Sequence, residues 1–130
     1  MAKILDWNDY DNFEKHEFDC HCGCGRADMT PEFMQAWQDM RTFLGFGFKM
    51  SSGFRCEAHD LACGGKGAHP TGDAGDVLTF GMAAQKLVTT APAFGFNRIG
   101  VSQNGPKVSR FIHLDRVALP DYPSPWIWSY

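Results

Sequence analysis

Two short stretches of the chain contain the side chains best suited to metal chemistry. The first, GAHPTGDAGDVLTF at residues 67–80, holds His69 and Asp76 around a glycine-rich turn, and the second, SRFIHLDRV at residues 109–117, holds His113. Two imidazoles and one carboxylate, with one position left for water, are a catalytic zinc arrangement, whereas a structural site is closed by four protein ligands. Taken alone, the first stretch is also what an ordinary glycine-rich turn contains, so the metal hypothesis depends on the second.

The pattern of the second stretch indicates a strand with one polar face. Side chains alternate between the two faces of a strand. Ile112 and Leu114 therefore share one face, and we expect them to be buried in the core. His113 and Asp115 share the other face and are expected to project together from it. If this strand neighbours the strand that follows the glycine-rich turn, the three candidate ligands converge.

A helix and several strands must position these residues. Thr30 followed by Pro31 predicts a helix start, because a hydroxyl cap and a proline at the first helical position are favoured there. Gly45 is a suitable residue to end this helix. Between these points, apolar residues recur at helical spacing, namely Phe33, Trp37, Met40 and Leu44. Further along, the patterns predict strands in FKMSSGFR, DVLTF, NRIGVS and SRFIHLDRV, and a helix in MAAQKLVTTA that ends near Pro92.

This order of elements predicts an α+β fold with a small antiparallel sheet and two or three helices. No linker divides the chain, so we expect residues 1–130 to form a single domain that is long enough to bury a core. The proline-rich tail, LPDYPSPWIWSY, is expected to be extended and held in place by its two tryptophans.

Composition and charge disfavour several classes of function. The net charge is −3 and no cluster of lysine and arginine is present, which argues against nucleic acid as a partner. No apolar stretch approaches the ~20 residues that span a bilayer. The N-terminal MAKILDWNDYDNFEKHEF is too polar for a secretory signal. We expect a monomer that is made in the cytoplasm and has no nucleic-acid or membrane partner.

The cysteines raise the question of a second metal site. Three of the five lie close together in CHCGCG, at residues 20–25. An odd number of thiols cannot be fully paired within one molecule, which argues against a pure disulfide framework. Clustered thiolates with glycines between them can bind a structural Zn²⁺ ion, although the spacing here is C-x-C and not the more familiar C-x-x-C.

Three motifs resemble those of the zinc D-Ala-D-Ala carboxypeptidase family, whose wider group includes phage endolysin peptidases and the hedgehog signalling domain. The family motif S-G-Y-R-C-x-x-H-N is matched by SGFRCEAHD at residues 52–60, and S-x-H-x-x-G-x-A-x-D by GAHPTGDAGD at residues 67–76. A late H-x-D is matched by HLD at residues 113–115. The CGCG segment and the tryptophan near the C-terminus are similar to the short, phage-type branch. The resemblance covers nearly the whole chain and implies a hedgehog/DD-peptidase-like fold.

The resemblance implies a role for each matched residue. His69, Asp76 and His113 are implied to be the ligands of a Zn²⁺ ion, and Arg55 matches the arginine that holds or polarises the substrate. A guanidinium can donate two N–H groups to a carboxylate or to a developing oxyanion. The alternative for Arg55 is a surface arginine that closes a salt bridge within the turn.

The chain departs from the family pattern at the general base. Many relatives carry an acid three residues before the last ligand, where this chain has Arg110, which cannot accept a proton from water. Asp115 is the nearest replacement, and two roles are open to it: general base, or a carboxylate that orients His113. His59 and His16 are weaker candidates and are expected to be structural or exposed.

Other departures concern the turns and the cysteines. Gly67 replaces the usual serine, Asp60 replaces a frequent asparagine, and Cys63 replaces an apolar residue and is expected to be a small buried hydrophobe. The remaining thiols are expected to tie the N-terminal segment to the SGFRC turn: Cys20, Cys22, Cys24 and Cys56. A four-cysteine zinc site suits a reducing cytoplasm and two disulfides suit export. Zinc is favoured because C-x-C thiols chelate one ion more easily than they pair with each other.

Together these features predict a zinc-dependent metallopeptidase that hydrolyses the stem peptides of bacterial peptidoglycan. It would act as a D-Ala-D-Ala carboxypeptidase or as an endolysin-like endopeptidase, and the phage-type resemblance is consistent with a phage-encoded protein that acts on the cell wall. The alternative is a catalytically inactive, zinc-containing module of the same fold that serves in binding or in a phage particle.

Overall fold

The structure, a computed structural model, describes residues 5–130 of the chain. Besides short 3₁₀ turns, this range contains the helices α1 (Pro31–Leu44), α2 (Glu57–Ala62) and α3 (Gly81–Thr90), and the strands β1 (Lys49–Ser52), β2 (Ala74–Leu78), β3 (Arg98–Ser102), β4 (Phe111–Asp115) and β5 (Trp126–Ser129). Within residues 5–130, every helix is too short or too polar to traverse a lipid bilayer.

Helix α1 begins and ends where the sequence predicts. The Thr30 hydroxyl accepts a hydrogen bond from the backbone N–H of Phe33 at 3.1 Å, and Pro31 is the first helical residue. Gly45 ends the helix in the left-handed region, with φ at 75°. The apolar repeat faces the core, where three of its residues are wholly buried: Phe33, Trp37 and Met40.

The five strands form one sheet in the order β1-β2-β4-β3-β5. Neighbouring strands are antiparallel except for β3 and β5, which run parallel. The predicted α+β fold with a small, mainly antiparallel sheet is therefore confirmed. The strands that carry Asp76 and His113 are direct neighbours, and these two residues lie opposite each other.

The two faces of the sheet differ in chemistry. Ile112 and Leu114 are buried in the core, as predicted. On the same face, a side-chain carbon at Gly75 would lie 3.2 Å from the Trp37 ring, so helix α1 packs directly against this part of the sheet. The opposite face carries His113, which is also buried because the C-terminal segment lies over it.

Two elements that border this polar face were not predicted from the sequence. Helix α2 has only six residues, and they show no apolar repeat. Strand β5 lies in the tail that the sequence predicts to be extended, and it pairs with β3 in parallel. Strand β2 also begins at Ala74, before the predicted DVLTF strand, because its first residues pair with the end of β4.

Gly100 allows strand β5 to approach the polar face closely. It pairs with His113 on one side and with Trp128 on the other. A side-chain carbon at this position would lie 2.7 Å from the Trp128 ring, which is closer than ordinary packing permits. The absence of a side chain therefore lets the indole lie beside the His113 imidazole, with ring centroids 5.2 Å apart.

Replacing Gly100 with alanine is expected to displace Trp128. Overpacking of this kind costs about 1–3 kcal/mol, so the free energy of unfolding should fall by that amount. Urea denaturation followed by tryptophan fluorescence measures the loss. Gly47→Ala is the matched control, because no atom lies within 4 Å of a side-chain carbon there. Equal stability of the two variants would contradict the close approach.

Candidate active site

The three predicted ligands meet on the polar face of the sheet. Asp76 and His113 come from β2 and β4, and His69 lies in the 3₁₀ turn His69–Thr71 that precedes β2. One ligand atom from each residue lies within 4.8 Å of the other two. The side chains are only 6%, 8% and 4% exposed for His69, Asp76 and His113. The structure thus brings these residues together, and their role as metal ligands stays a prediction.

Each imidazole is held by a hydrogen bond on the side away from Asp76. Nδ1 of His69 lies 2.8 Å from the Gly53 carbonyl oxygen, which only accepts, so Nε2 is left facing Asp76 at 3.4 Å. Nε2 of His113 lies 2.7 Å from an Asp115 oxygen, and its Nδ1 faces Asp76 at 2.8 Å. Histidines that bind metals usually donate their other ring N–H to a carbonyl or carboxylate in this way.

The donor set and its spacing fit a zinc ion. Ligand atoms at ~2.1 Å from a tetrahedral centre lie about 3.4 Å apart. The distance from His69 Nε2 to one Asp76 oxygen is 3.4 Å, whereas His113 Nδ1 lies 2.8 Å from the other oxygen, at hydrogen-bond distance. Imidazole nitrogens and carboxylate oxygens are both zinc donors, and three protein ligands leave a fourth position for water or substrate. The residues therefore suit the metal that the family resemblance implies.

Charge within the cluster also favours a cation. Burial raises the pKa of Asp76, but hydrogen bonds with His113 and His69 outweigh burial and hold this pKa below its usual range. Burial lowers the pKa of His113, but hydrogen bonds to Asp115 and Asp76 raise it to about 9. Two buried carboxylates thus flank one imidazole, and besides the arginines that pair with them they favour a further positive charge at this imidazole, carried by a proton or by a metal ion.

Arg55 lies beside the ligand cluster with only 20% of its side chain exposed. Its guanidinium donates to Asp60 at 3.1 Å and to Asp76 at 3.4 Å, and its Nε donates to the Ser52 hydroxyl at 3.1 Å. Arg55 does form salt bridges near the turn, as the alternative interpretation of a surface arginine predicts. Both partner carboxylates, however, are buried. Arg55 therefore connects one candidate ligand to helix α2.

These residues line an open groove with a volume of about 940 Å³, which is large enough for a ligand of several residues. The loop at residues 63–66 and parts of the tail at residues 121–130 also line it. The Tyr122 hydroxyl donates to the Lys66 carbonyl and so joins loop and tail. A side-chain carbon at Gly67, where relatives usually have serine, would lie 2.6 Å from the Tyr122 hydroxyl oxygen.

Arg98 is a residue of the groove that the sequence did not single out. Its Nε donates to Asp115 at 2.9 Å, and its guanidinium also donates to the Pro123 carbonyl at 2.6 Å. The same group lies over the rings of Tyr122 and Trp128, at 4.9 and 5.2 Å from their centroids. A single arginine at the start of an apolar strand does not by itself indicate a functional residue. Its pairing with Asp115 follows from the register of β3 on β4.

Asp115 is wholly buried, and both of its oxygens are occupied. One accepts from Arg98 and from the backbone N–H of Val117 at 2.9 and 3.1 Å, and the other faces His113 at 2.7 Å. Arg110, at the position where many relatives carry an acid, donates to a backbone carbonyl of the preceding loop at 3.0 Å. It does not line the groove.

The cysteines divide into a cluster and one separate thiol. Four of them offer ligand atoms within 4.8 Å of one another, as the sequence predicts for a single unit: Cys20, Cys22, Cys24 and Cys56. The prediction for Cys63 is wrong. This thiol is exposed and lies 3.6 Å from Nε2 of His59, because α2 ends here and the chain turns at the surface.

The sheet thus presents two histidines and a carboxylate along a groove, a donor set of the kind that catalytic zinc sites use. The family described as Peptidase M15 matches residues 9–115. Because this match spans most of the chain, the protein belongs to the Peptidase M15 family, whose members are zinc peptidases. No curated protein matches the chain. The tail that carries Tyr122 and Trp128 lies beyond the matched residues.

Proposed function

We propose that this protein is a zinc-dependent peptidase that cleaves the stem peptides of bacterial peptidoglycan, either at a terminal D-Ala or at an internal bond. The observation that carries the proposal is the convergence of the His69, Asp76 and His113 ligand atoms within 4.8 Å at the base of an open groove. Membership of a zinc peptidase family supports the reaction type. The peptidoglycan substrate is proposed from the three motifs shared with the carboxypeptidases.

The three ligands are suited to holding Zn²⁺ with one open position. When bound there, zinc supplies a Lewis acid for the scissile carbonyl and makes water a nucleophile at neutral pH. His69 is oriented by the Gly53 carbonyl and His113 by Asp115, so that Nε2 of the first and Nδ1 of the second face Asp76. The protein therefore presents a pre-oriented donor set.

The groove offers cationic groups to an anionic peptide. Arg55, Lys66 and Arg98 all line it together with the exposed Asp121, and its buried carboxylates are already paired with these arginines or with the candidate ligands. The stem peptides of peptidoglycan end in a free carboxylate, and a guanidinium can bind such a group through two N–H donors. We assign this binding role to Arg55, because its guanidinium lies 3.4 Å from a candidate metal ligand.

Between the two roles open to Asp115, the contacts favour orientation of His113. One oxygen accepts from the Arg98 Nε and the Val117 N–H, the other lies 2.7 Å from His113 Nε2, and the side chain is 0% exposed, so neither oxygen is free to take a proton from water. A carboxylate that accepts from Nε2 keeps the proton on that nitrogen and leaves the Nδ1 lone pair for a metal ion. Asp115 is therefore a positioning residue.

Asp115→Asn is expected to weaken zinc binding by roughly 10–100-fold. The asparagine amide can donate towards Nε2 of His113, which favours the tautomer with its proton on the ligating Nδ1. Competition with a chromogenic chelator measures the affinity. If Asp115 only positions His113, kcat should largely recover at saturating zinc, because the chemical step does not use the carboxylate.

A kcat that stays lost at saturating zinc would instead identify Asp115 as the general base. Asp39→Asn is the matched control, because this exposed carboxylate on α1 accepts a side-chain hydrogen bond from Gln35 alone among residues 5–130. The melting temperature of each variant shows whether loss of the Arg98 contact, and not loss of orientation, explains the change.

The proposed function is tested with purified protein and soluble peptidoglycan fragments. Mass spectrometry distinguishes release of a terminal D-Ala from cleavage inside the stem or the crossbridge. Activity is expected to disappear with a chelator and to return with Zn²⁺. Turnover that persists after complete removal of the metal would refute the zinc mechanism.

A second candidate function is supported by the missing acid at position 110. Arg110 donates to a backbone carbonyl and Asp115 is fully hydrogen-bonded, so neither resembles a base that is ready to take a proton from water. A binding module that retains the fold and the metal would have this arrangement. Binding of the fragments without any cleavage, by zinc-loaded protein, would favour the module over the enzyme.

A further inference from the structure

A second group of metal-binding side chains lies outside the groove. It consists of four thiols, called the four-cysteine cluster below: Cys20, Cys22, Cys24 and Cys56. None of the four lines the groove. The sulfur of Cys20 lies 3.3 Å from that of Cys22 and 3.8 Å from that of Cys56, and the last two are 3.7 Å apart. The sulfur of Cys24 lies within 4.8 Å of each of them.

These separations match a shared ion. Four sulfurs at ~2.3 Å from a tetrahedral zinc lie about 3.8 Å from one another. The sulfurs of a disulfide are only about 2.05 Å apart. The observed distances of 3.3 to 3.8 Å are therefore close to those around a metal ion, and all four cysteines are unpaired in the structure. Tetrahedral sites of four sulfurs are typical of zinc or iron.

The backbone is shaped to bring these thiols together. Gly23 and Gly25 have φ angles of 87° and 79°, which side chains rarely tolerate, and they let residues 20–25 curl around one point. The loop is closed by a hydrogen bond from the Cys20 N–H to the Arg26 carbonyl at 2.8 Å. The Cys56 N–H donates to the Cys20 sulfur at 3.4 Å, a contact that supports a charged thiolate.

The cluster joins the N-terminal segment to the turn that supports the candidate active site. A side-chain carbon at Gly53 would lie 2.7 Å from the Phe18 backbone, so the two segments are in direct contact. The carbonyl of Gly53 orients His69 at 2.8 Å. Arg55 immediately precedes Cys56, so the thiol and the guanidinium extend from neighbouring residues of one turn.

We propose that the four-cysteine cluster binds one structural Zn²⁺ ion, which holds the N-terminal segment against the turn at residues 53–56. Four protein ligands close the coordination sphere, so this ion binds no substrate and takes no part in catalysis. Its effect on the groove is positional, because it restrains the turn that carries Gly53 and Arg55. The proposal concerns a site separate from the His69 cluster and holds whether or not the protein is a peptidase.

Metal analysis of protein purified under reducing conditions tests the proposal. We expect two zinc ions per chain in the wild type and one in Cys56→Ser. His113→Ala should also contain one, because it lacks the other site. Cobalt substitution adds an independent readout, since thiolate-to-cobalt charge transfer should be present in His113→Ala and absent in Cys56→Ser. Cys63→Ser is the matched control and should retain both ions, because this exposed thiol lies outside the cluster.

Failure of this proposal is distinguishable from failure of the proposed function. If only the His69 site lacks zinc, the wild type holds one ion and Cys56→Ser holds none. If the cluster binds no zinc, Cys56→Ser holds as much as the wild type, which overturns the proposal. Iron in place of zinc would also overturn it. So would a single free thiol in protein purified without reductant and denatured with a chelator, since two disulfides leave only Cys63 unpaired.

The anchoring of the N-terminal segment by the ion can be measured separately, by limited proteolysis. Without the ion, limited proteolysis within the N-terminal segment is expected to be faster by about tenfold or more, because local opening is no longer opposed by the metal. Equal resistance of zinc-loaded wild type and Cys56→Ser would contradict the anchoring role. If Cys56→Ser does not fold, Cys24→Ser replaces it, since the Cys24 thiol is exposed and its loss disturbs no packing.

Discussion

Replacing His113 with alanine is expected to abolish hydrolysis and to remove one zinc ion per chain. The side chain presents Nδ1 to Asp76 at 2.8 Å, and no other described histidine reaches this position from β4. Loss of the metal removes both the Lewis acid and the activated water. We expect kcat/KM to fall about a thousandfold or more, which corresponds to on the order of 4 kcal/mol. His69→Ala should behave in the same way.

The measurement combines zinc content, turnover on peptidoglycan fragments and thermal denaturation. His16→Ala is the matched control, because its side chain is 73% exposed and, within the described part of the chain, pairs only with Glu14. It should retain zinc and activity. The assignment is wrong if both His69→Ala and His113→Ala are folded and keep a full equivalent of zinc at this site.

Arg55→Ala is expected to lower kcat/KM by about a hundredfold, or ~3 kcal/mol, because a charge-assisted contact with the substrate is lost. The structure indicates that this substitution also destabilises the fold. Asp60 is 4% exposed, and among residues 5–130 its carboxylate would keep the Gly67 N–H as a hydrogen-bond donor but no charged partner. An unpaired buried carboxylate is destabilising, and we expect the free energy of unfolding to fall by about 2 kcal/mol.

A double variant separates these two effects. Asp60→Asn removes the buried charge, so Arg55→Ala combined with Asp60→Asn should regain much of the lost stability without regaining activity. Arg110→Ala is the matched control, because among the residues that the structure describes this guanidinium donates only to the Gly105 carbonyl. If activity returns together with stability in the double variant, Arg55 serves the fold and does not bind substrate.

Much of the fold is readable from local patterns. Thr30, Pro31 and Gly45 mark the ends of α1 through their own backbone preferences, and these preferences act within a few residues. The alternation of Ile112 and Leu114 with His113 predicts which face of β4 is buried, because the two-residue period is a property of any strand. Such signals need no knowledge of the partner strand.

The elements that were not predicted depend on residues that are far away in the sequence. Helix α2 is too short to show a periodic pattern, and its end at the surface makes Cys63 exposed although the family pattern suggests a buried residue. Strand β5 is specified by its parallel pairing with β3 and by the space above Gly100. The pairing of β5 and the space above Gly100 both depend on residues outside the tail, so the sequence of the tail alone does not predict this strand.

The sequence by itself determined the chemical identity of the site: two imidazoles, one carboxylate, a nearby arginine and a cluster of thiols, in motifs that also indicate the family. Only the tertiary structure decided how these groups are used. The register of β2, β3 and β4 places Asp76 opposite His113 and Arg98 opposite Asp115. That register buries Asp115 behind His113 and occupies both of its oxygens. The physical reason is that hydrogen bonds and burial arise between residues far apart in the chain, and these contacts set which nitrogen faces a metal and which carboxylate is free to accept a proton.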